Sequence, residues 1–217
     1  MMERSRENSW RKQREAMVKQ LRRYGIRNMS ILKVMSELPR HEFIPEERRN
    51  EVNPYGDHPC SIGFGQTISQ PYIVAHMTEK LGLGPGARVL EIGTGSAYQA
   101  AVLGRLGMEV FTVERIRELA EHARAVLSRL ECGSVVVLEG NGYDGLPEHA
   151  PFDGIIVTCA PDDVPESLVA QMGEGGRMIV PVGAVAQQLI LFRREHGELR
   201  REKDIMVRFV PMVKRPE

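Results

Sequence analysis

The 217-residue chain is poor in cysteine and has no long apolar run. Its three cysteines, Cys60, Cys132 and Cys159, are an odd number without CxxC spacing. That argues against a disulfide framework or a thiolate zinc site and suits a reducing compartment. No stretch approaches the roughly 20 apolar residues of a membrane span, and the start, "MMERSRENSWRKQRE", lacks the apolar segment of a secretory signal. A cytoplasmic protein without a membrane partner is expected. Net charge is missing too: 29 basic residues face 29 acidic ones, so no global field points to nucleic acid. None of the six histidines falls in an HExxH pattern, and no metal is expected. There is no internal repeat and no low-complexity tract.

What is present is ordinary globular composition, 42% hydrophobic and 27% charged, enough for one compact unit. Residues 3–24 return Trp10, Met17 and Leu21 to one face at helical spacing, with Gly25 as the stop. The basic residues between them fit a solvated helix face better than a nucleic-acid arm. "SILKVMSEL" predicts a second helix with Ser30 as its N-cap, ending before Pro39. The Gly- and Pro-rich stretch from 39 to 71 carries Phe43, Ile44, Tyr55, Ile62, Phe64 and Ile68. So many large apolar side chains predict a loop that packs on the domain and covers a site rather than a linker.

From residue 86 the pattern alternates short apolar strands ("RVLEI", "EVFTVE", "SVVVLE", "DGIIVTCA", "RMIVPVG") with amphipathic helices. This predicts an α/β fold with a doubly wound, mostly parallel sheet. "QLILFRRE" and "DIMVRFVPM" follow with no helix between them, so an antiparallel hairpin should close its edge. The chain then divides into an N-terminal helical segment (1–38), a covering loop with its helix (39–85) and a Rossmann-like core (86–217).

In such a sheet ligands bind outside the carboxyl ends of the strands, and the first strand-to-helix turn is the expected contact. That turn is "VLEIGTGSAYQA". Gly93 and Gly95 are followed by Tyr98 where a dinucleotide fingerprint needs a third glycine, and Glu91 ahead of them would repel a pyrophosphate. A cationic ligand without phosphate suits the acid, and S-adenosylmethionine, with a sulfonium and an ammonium, is one. Glu114 lies 21 residues beyond Gly93, the spacing at which a carboxylate meets ribose hydroxyls. After the third strand, "EGNGYDG" offers Asn141 and Gly142 as a further contact. The plainer readings are that Glu91 and Glu114 cap turns and that Asn-Gly is an ordinary turn dipeptide.

"GFGQTISQP", "VLEIGTGSAYQAAVL", "APFDGIIVTCA", "GGRMIVPVG" and "VRFVPM", in that order, closely resemble the motifs of protein-L-isoaspartate (D-aspartate) O-methyltransferases. The resemblance runs from about Pro39 to Val213, and the first and last of these segments are the most particular to the family. It implies a Rossmann-like S-adenosylmethionine-dependent methyltransferase acting on isoaspartyl, and more weakly D-aspartyl, residues of damaged proteins. The methyl ester then collapses to a succinimide that partly reopens to normal aspartate. The same resemblance puts the family's functional serine on Ser69. It puts cofactor contacts on Ile62, Gly63, Phe64, Gly65 and Gln66, on Glu91, Gly93 and Gly95, on Glu114 with Arg115, and on Asn141 with Gly142, and sets Thr158 beside the pocket.

Two positions depart from the family pattern. Ala97 replaces a glycine and is tolerable where the backbone is helical. Asn141 replaces an aspartate, keeping an acceptor oxygen for an adenine amine but losing a charge. The nucleophile of the implied reaction is a carboxylate, ordinarily titrating near ~4 and already ionised at neutral pH, so no general base is required. Ser69 would orient that carboxylate or support its loop, and alternatively serves as a cap before Pro71. Val207, Arg208, Phe209 and Val210 could hold an extended peptide through strand-edge hydrogen bonds, or simply form the last strand. Cys60 beside His58, with no third orienting group, reads as incidental. The competing readings are a methyltransferase for RNA or a small molecule, a nicotinamide-dependent oxidoreductase, and a silent S-adenosylmethionine sensor. The chain is expected to act as a monomer.

Overall fold

The computed structural model describes residues 2–49 and 51–213, so the last four residues of the expected 86–217 core lie outside the described residues. The first helix, α1 (Met2–Arg23), turns its apolar stripe inward: Met17 and Leu21 are buried and Trp10 packs against them. Gly25, at a positive φ of 101°, ends it, with Ile26 N–H reaching back to Leu21 O at 3.1 Å. The next helix, α2 (Met29–Glu37), begins two residues earlier than Ser30 would place it. Its cap is Asn28, whose Oδ1 accepts from the N–H groups of Ser30 and Ile31.

The loop from 39 to 70 folds as two short 3-10 turns, Arg40–Phe43 and Glu46–Arg48, and a hairpin of β1 (Cys60–Gly63) and β2 (Gln66–Ile68). Phe43, Ile44, Tyr55, Ile62 and Ile68 are all buried, which is why this Gly-rich stretch lies down on the domain. Phe64 is the exception. It sits at the hairpin tip with a positive φ of 53° and is 58% exposed. Helix α3 (Pro71–Leu81) follows directly.

Then come β3 (Arg88–Ile92), α4 (Tyr98–Arg105), β4 (Glu109–Glu114), α5 (Arg117–Arg129), β5 (Val135–Glu139), β6 (Phe152–Val157), α6 (Glu166–Ala170), β7 (Met172–Val182), β8 (Gln187–Glu195) and β9 (Glu198–Val207). The sheet order is β5-β4-β3-β6-β7-β8-β9. Pairings from β5 through to β7 are parallel, and β7-β8 and β8-β9 are antiparallel. The central strands are buried on both faces, as their unbroken apolar runs require. The final strand departs from expectation. It starts at Glu198 rather than Asp204, since the charged run "LRREK" lies on an exposed edge, and it stops at Val207.

Chain direction across the sheet reverses between β3 and β6, the switch point of a doubly wound fold. The carboxyl ends of β3, β4 and β6 therefore open onto a common crevice. The hairpin of β1 and β2 and the strand-like segment after β9 border it from the sides.

Candidate active site

A cleft of about 550 Å³ occupies that crevice. Parallel register sets Glu91 beside Thr112. Thr112 Oγ1 donates to Glu91 Oε2 at 2.6 Å, and the Thr94 and Thr112 hydroxyls are 2.7 Å apart. Glu91 is 0% exposed, and its other oxygen, Oε1, has no hydrogen-bond partner among the described residues. Loss of solvent pushes this carboxyl up to about 8, the Thr112 hydrogen bond opposes the shift, and the Glu114 charge adds to it. In the free protein at neutral pH, Glu91 is therefore mainly an uncharged acid rather than the standing charge that its place in the sequence suggests.

The glycine turn rests on its neighbours. Gly93 and Thr94 donate their N–H groups to Val113 O, and Thr158 Oγ1 donates to Ile92 O at 3.0 Å and Gly93 O at 2.5 Å. Gly93 has a φ of 92°, and a Cβ there would stand 2.8 Å from Thr158 Oγ1, so only glycine fits. Thr158 thus lines the cleft while its hydroxyl holds the turn.

Glu114 is organised by three backbone donors. Its Oε2 accepts from Gly95 N–H at 2.8 Å, and its Oε1 accepts from the N–H groups of Arg115 and Ile116 at 2.8 and 2.9 Å. These fix the carboxylate at the cleft wall with acceptor capacity remaining for hydroxyl donors. The Arg115 side chain is exposed and reaches Val213 O at 3.3 Å.

Ala97 is not helical. It caps α4 at φ 67° and ψ 8°, a left-handed conformation, and its methyl is fully buried. The condition under which alanine would replace the family glycine freely is therefore not met.

Asn141 differs from expectation as well. Its Oδ1 accepts from Tyr143 N–H at 3.2 Å, its Nδ2 donates to Asp144 Oδ2 at 3.1 Å, and its neighbour Gly142 is the one that lines the cleft. A Cβ on Gly142 would meet Ile92 Cγ2 at 2.5 Å, so glycine is needed for this close approach.

From the hairpin, Phe64, Gln66 and Ser69 reach the cleft, and Ile62 is buried behind it, its side chain facing Gly95. Gly63 and Gly65 form the turn with φ values of 96° and 70°. The Ser69 hydroxyl makes no hydrogen bond among the described residues, whereas the Ser69 carbonyl accepts from Arg40.

Of the segment after β9, only Val210 among the four expected substrate contacts lines the cleft. Val207 pairs with Gln187, and the Gln187 amide also brackets Phe209, donating to its carbonyl at 3.0 Å and accepting from its N–H at 2.5 Å. Val210 O accepts from Ala160 N–H at 2.8 Å. Most of the edge expected for a peptide is thus already paired, and Arg208 is left exposed.

Thr94, Thr112, Cys159 and Met212 also belong to the site. Thr94, Cys159 and Met212 lie inside the family-like segments, where the resemblance implies no contact from them, and Thr112 sits in an ordinary apolar strand. The Cys159 thiol is pushed up to about 12 by burial and by Glu114 and Glu91, so it stays protonated and inert.

Comparisons with known proteins agree with this fold. Residues 12–217 match the family model described as Protein-L-isoaspartate(D-aspartate) O-methyltransferase (PCMT). A protein-L-isoaspartate O-methyltransferase of Picosynechococcus is 46% identical over 200 residues, covering 92% of this chain and 89% of that one. Protein-L-isoaspartate O-methyltransferase 2 of Pelobacter propionicus is 49% identical over 204 residues, covering 92% and 90%. Among solved structures, a protein-L-isoaspartate O-methyltransferase superposes with a TM-score of 0.81 at 34% identity, over 93% of this chain and 66% of its own longer chain. One from Plasmodium falciparum, described as in complex with S-adenosyl-L-homocysteine, gives 0.82 at 25% identity, over 93% and 99%. With fold, glycine turn and near full-length likeness in agreement, the chain belongs to the protein-L-isoaspartate (D-aspartate) O-methyltransferase family.

Proposed function

We propose that this chain methylates the abnormal carboxylate of L-isoaspartyl residues in damaged proteins, and D-aspartyl residues more slowly, with S-adenosylmethionine as donor. The observation that carries the reading is the unpartnered, fully buried Glu91 Oε1 in the wall of a cleft whose glycine turn and Glu114 are already fixed. Glu91 Oε1 would take a ligand ammonium as its missing partner, and such a charge would favour the ionised carboxyl. Glu114, with its orientation set by three N–H groups, accepts from ribose hydroxyls, and Gly93, Gly95 and Gly142 let backbone approach closely. The bound donor supplies an electrophilic sulfonium methyl.

The rest of the work falls to the chain. A substrate carboxylate with an ordinary pKa near ~4 is ionised at neutral pH, so no side chain has to take its proton. The protein must strip water from that carboxylate and aim it, and rate then comes from positioning in a dry cleft. Ser69, with a free hydroxyl at the cleft, donates the orienting hydrogen bond. Phe64 at the hairpin tip shields the opening, and the backbone around Arg208 and Val210 is what remains to hold the flanking peptide.

No helix among the described residues is long and apolar enough to cross a membrane. A cytoplasmic site of action is part of the proposal, supported by three free cysteine thiols. The test is transfer of a labelled methyl group to a peptide with one isoaspartyl residue, alongside its normal aspartyl counterpart. Label on the first alone is expected. Label on neither, or equally on both, overturns the substrate assignment.

A further inference from the structure

Ser69 stands between β2 and α3, and two side chains from the preceding loop hold that junction from separate directions. The Arg40 guanidinium is 0% exposed. Its Nε donates to Pro54 O at 2.7 Å, its Nη2 donates to Ser69 O at 2.8 Å, and its Cζ lies 4.9 Å from the ring centroid of Tyr98, the first residue of α4. Asp57 holds the next residues. Its Oδ2 accepts from Gln70 Nε2 at 2.8 Å, and its Oδ1 accepts from Tyr72 N–H at 3.0 Å. Gln70 itself places no side chain over the start of α3, so Asp57, 13 residues away from Gln70, serves as that helix's cap.

The arrangement is an expensive way to fill a core. Arg40 Nη1 is buried without a partner among the described residues, and a buried guanidinium with an unused donor is destabilising relative to an apolar side chain of similar volume. What the guanidinium gives in return is geometry. Its planar fork reaches two carbonyls at once and stacks on an aromatic ring, which a lysine ammonium cannot reproduce. One end of that fork is the carbonyl of Ser69, and the ring on its face belongs to the helix that begins at the glycine turn.

We infer that Arg40 and Asp57 are positioning residues for methyl transfer: they clamp the Ser69–Tyr72 junction so that the Ser69 hydroxyl is presented to the substrate carboxylate beside the glycine turn. The inference rests on the proposed role of Ser69. Neither residue lines the cleft, and both act through the Ser69–Tyr72 junction.

The test is a set of mutant cycles in the full chain: Arg40→Lys, Asp57→Asn and Asp57→Ala, each alone and combined with Ser69→Ala. For each, kcat and KM for an isoaspartyl peptide are measured at saturating S-adenosylmethionine, together with S-adenosylhomocysteine affinity and melting temperature. Arg40→Lys is expected to lower kcat about tenfold, as small displacements of a catalytic group do, with KM changed far less. S-adenosylhomocysteine affinity should change far less than kcat, since Arg40 meets the glycine-turn side of the cleft through the face of the Tyr98 ring and not through a cofactor contact. Asp57→Asn, which still offers an acceptor to Tyr72 N–H, should retain most of the rate that Asp57→Ala loses. In the Ser69→Ala background both losses should shrink to about twofold or less, because the group being positioned is gone. Full, undiminished losses in that background would overturn the clamp while leaving Ser69 in place. If Ser69→Ala alone left kcat unchanged, the reading of Ser69 would fall, and the clamp's role with it. Should Arg40→Lys not fold, the Asp57→Ala cycle decides by the same criterion.

Discussion

Cofactor binding should release a proton from Glu91. The carboxyl titrates near 8 in the free protein, so at pH 7 it is about 90% protonated. An opposite charge at hydrogen-bond range lowers a carboxyl pKa by about 1–3, which places the bound value between about 5 and 7. Binding of S-adenosylhomocysteine, which keeps the ammonium, should then release about 0.4 to 0.9 proton at pH 7 and bind about two- to eightfold more tightly at pH 7 than at pH 6. That window lies below the ordinary titration of a ligand α-amine, near ~8. Calorimetric titration in buffers of different ionisation enthalpy counts the proton directly.

The free protein carries the same linkage with a fixed sign. The folded carboxyl holds a proton that the unfolded chain has already released above about 4.5, so raising the pH from about 5 to 8 costs folding stability, up to about 1.4 kcal/mol per pH unit. Saturating S-adenosylhomocysteine should lower the upper end of that window by about 1–3 pH units, and Glu91→Gln should remove both the slope and the proton release. Binding without proton exchange, or the same exchange in Glu91→Gln, would refute the assignment of Glu91 to the ligand ammonium.

Ser69→Ala removes one hydrogen bond to a charged group, worth about 1.5–3 kcal/mol, and should slow turnover about tenfold to a hundredfold with cofactor affinity little changed. Glu114→Ala strips the acceptor from three N–H groups, including that of Gly95, and should weaken the cofactor while saturation restores much of the rate; equal loss of cofactor binding in Ser69→Ala would withdraw the serine's role. Ala97→Gly relieves about 1–2 kcal/mol of left-handed strain but gives up a buried methyl worth about 0.8 kcal/mol and about 0.4–1 kcal/mol of unfolded-chain restriction. Its melting temperature should therefore stay within about 2–4 °C of the parent, whereas Ala97→Val, β-branched at positive φ, should melt well below that range; an unchanged valine variant would contradict the left-handed turn. Asn141→Asp alone places a second carboxylate 3.1 Å from that of Asp144, so tighter cofactor binding, about fivefold, is expected only when Asp144→Asn accompanies it; tightening by the single substitution would show that Asp144 turns away.

What is readable in the sequence is what local pattern determines. Apolar runs broken by Gly-rich turns mark the parallel strands and their order of contact with the ligand, and the absence of a helix after Val182 marks the antiparallel edge. The departures have physical causes. Asn28 and Ser30 are both good caps two residues apart, and only the backbone path shows that Asn28 Oδ1 meets the free N–H groups. The first half of β9 carries "LRREK" because it is a solvated edge strand, so no apolar alternation marks it. The left-handed backbone at Ala97 is a conformation, which residue identity does not encode once the glycine is gone. Glu91's protonation follows from strand register and burial among residues distant in the chain, and the Arg40–Ser69 contact spans 29 residues. Strand order alone turns Asn141 outward to the ligand, but Asp144 and Tyr143 lie close enough to engage both ends of its amide.

Repair of a misplaced backbone linkage by methylation is tested most directly by a time course on a defined isoaspartyl peptide. Incubated with the chain and S-adenosylmethionine, the peptide should pass through a methyl ester on its side-branch carboxylate and a succinimide, and the normal aspartyl peptide should accumulate over repeated turnovers. An isoaspartyl peptide that remains unchanged while S-adenosylmethionine is bound or consumed would contradict the account.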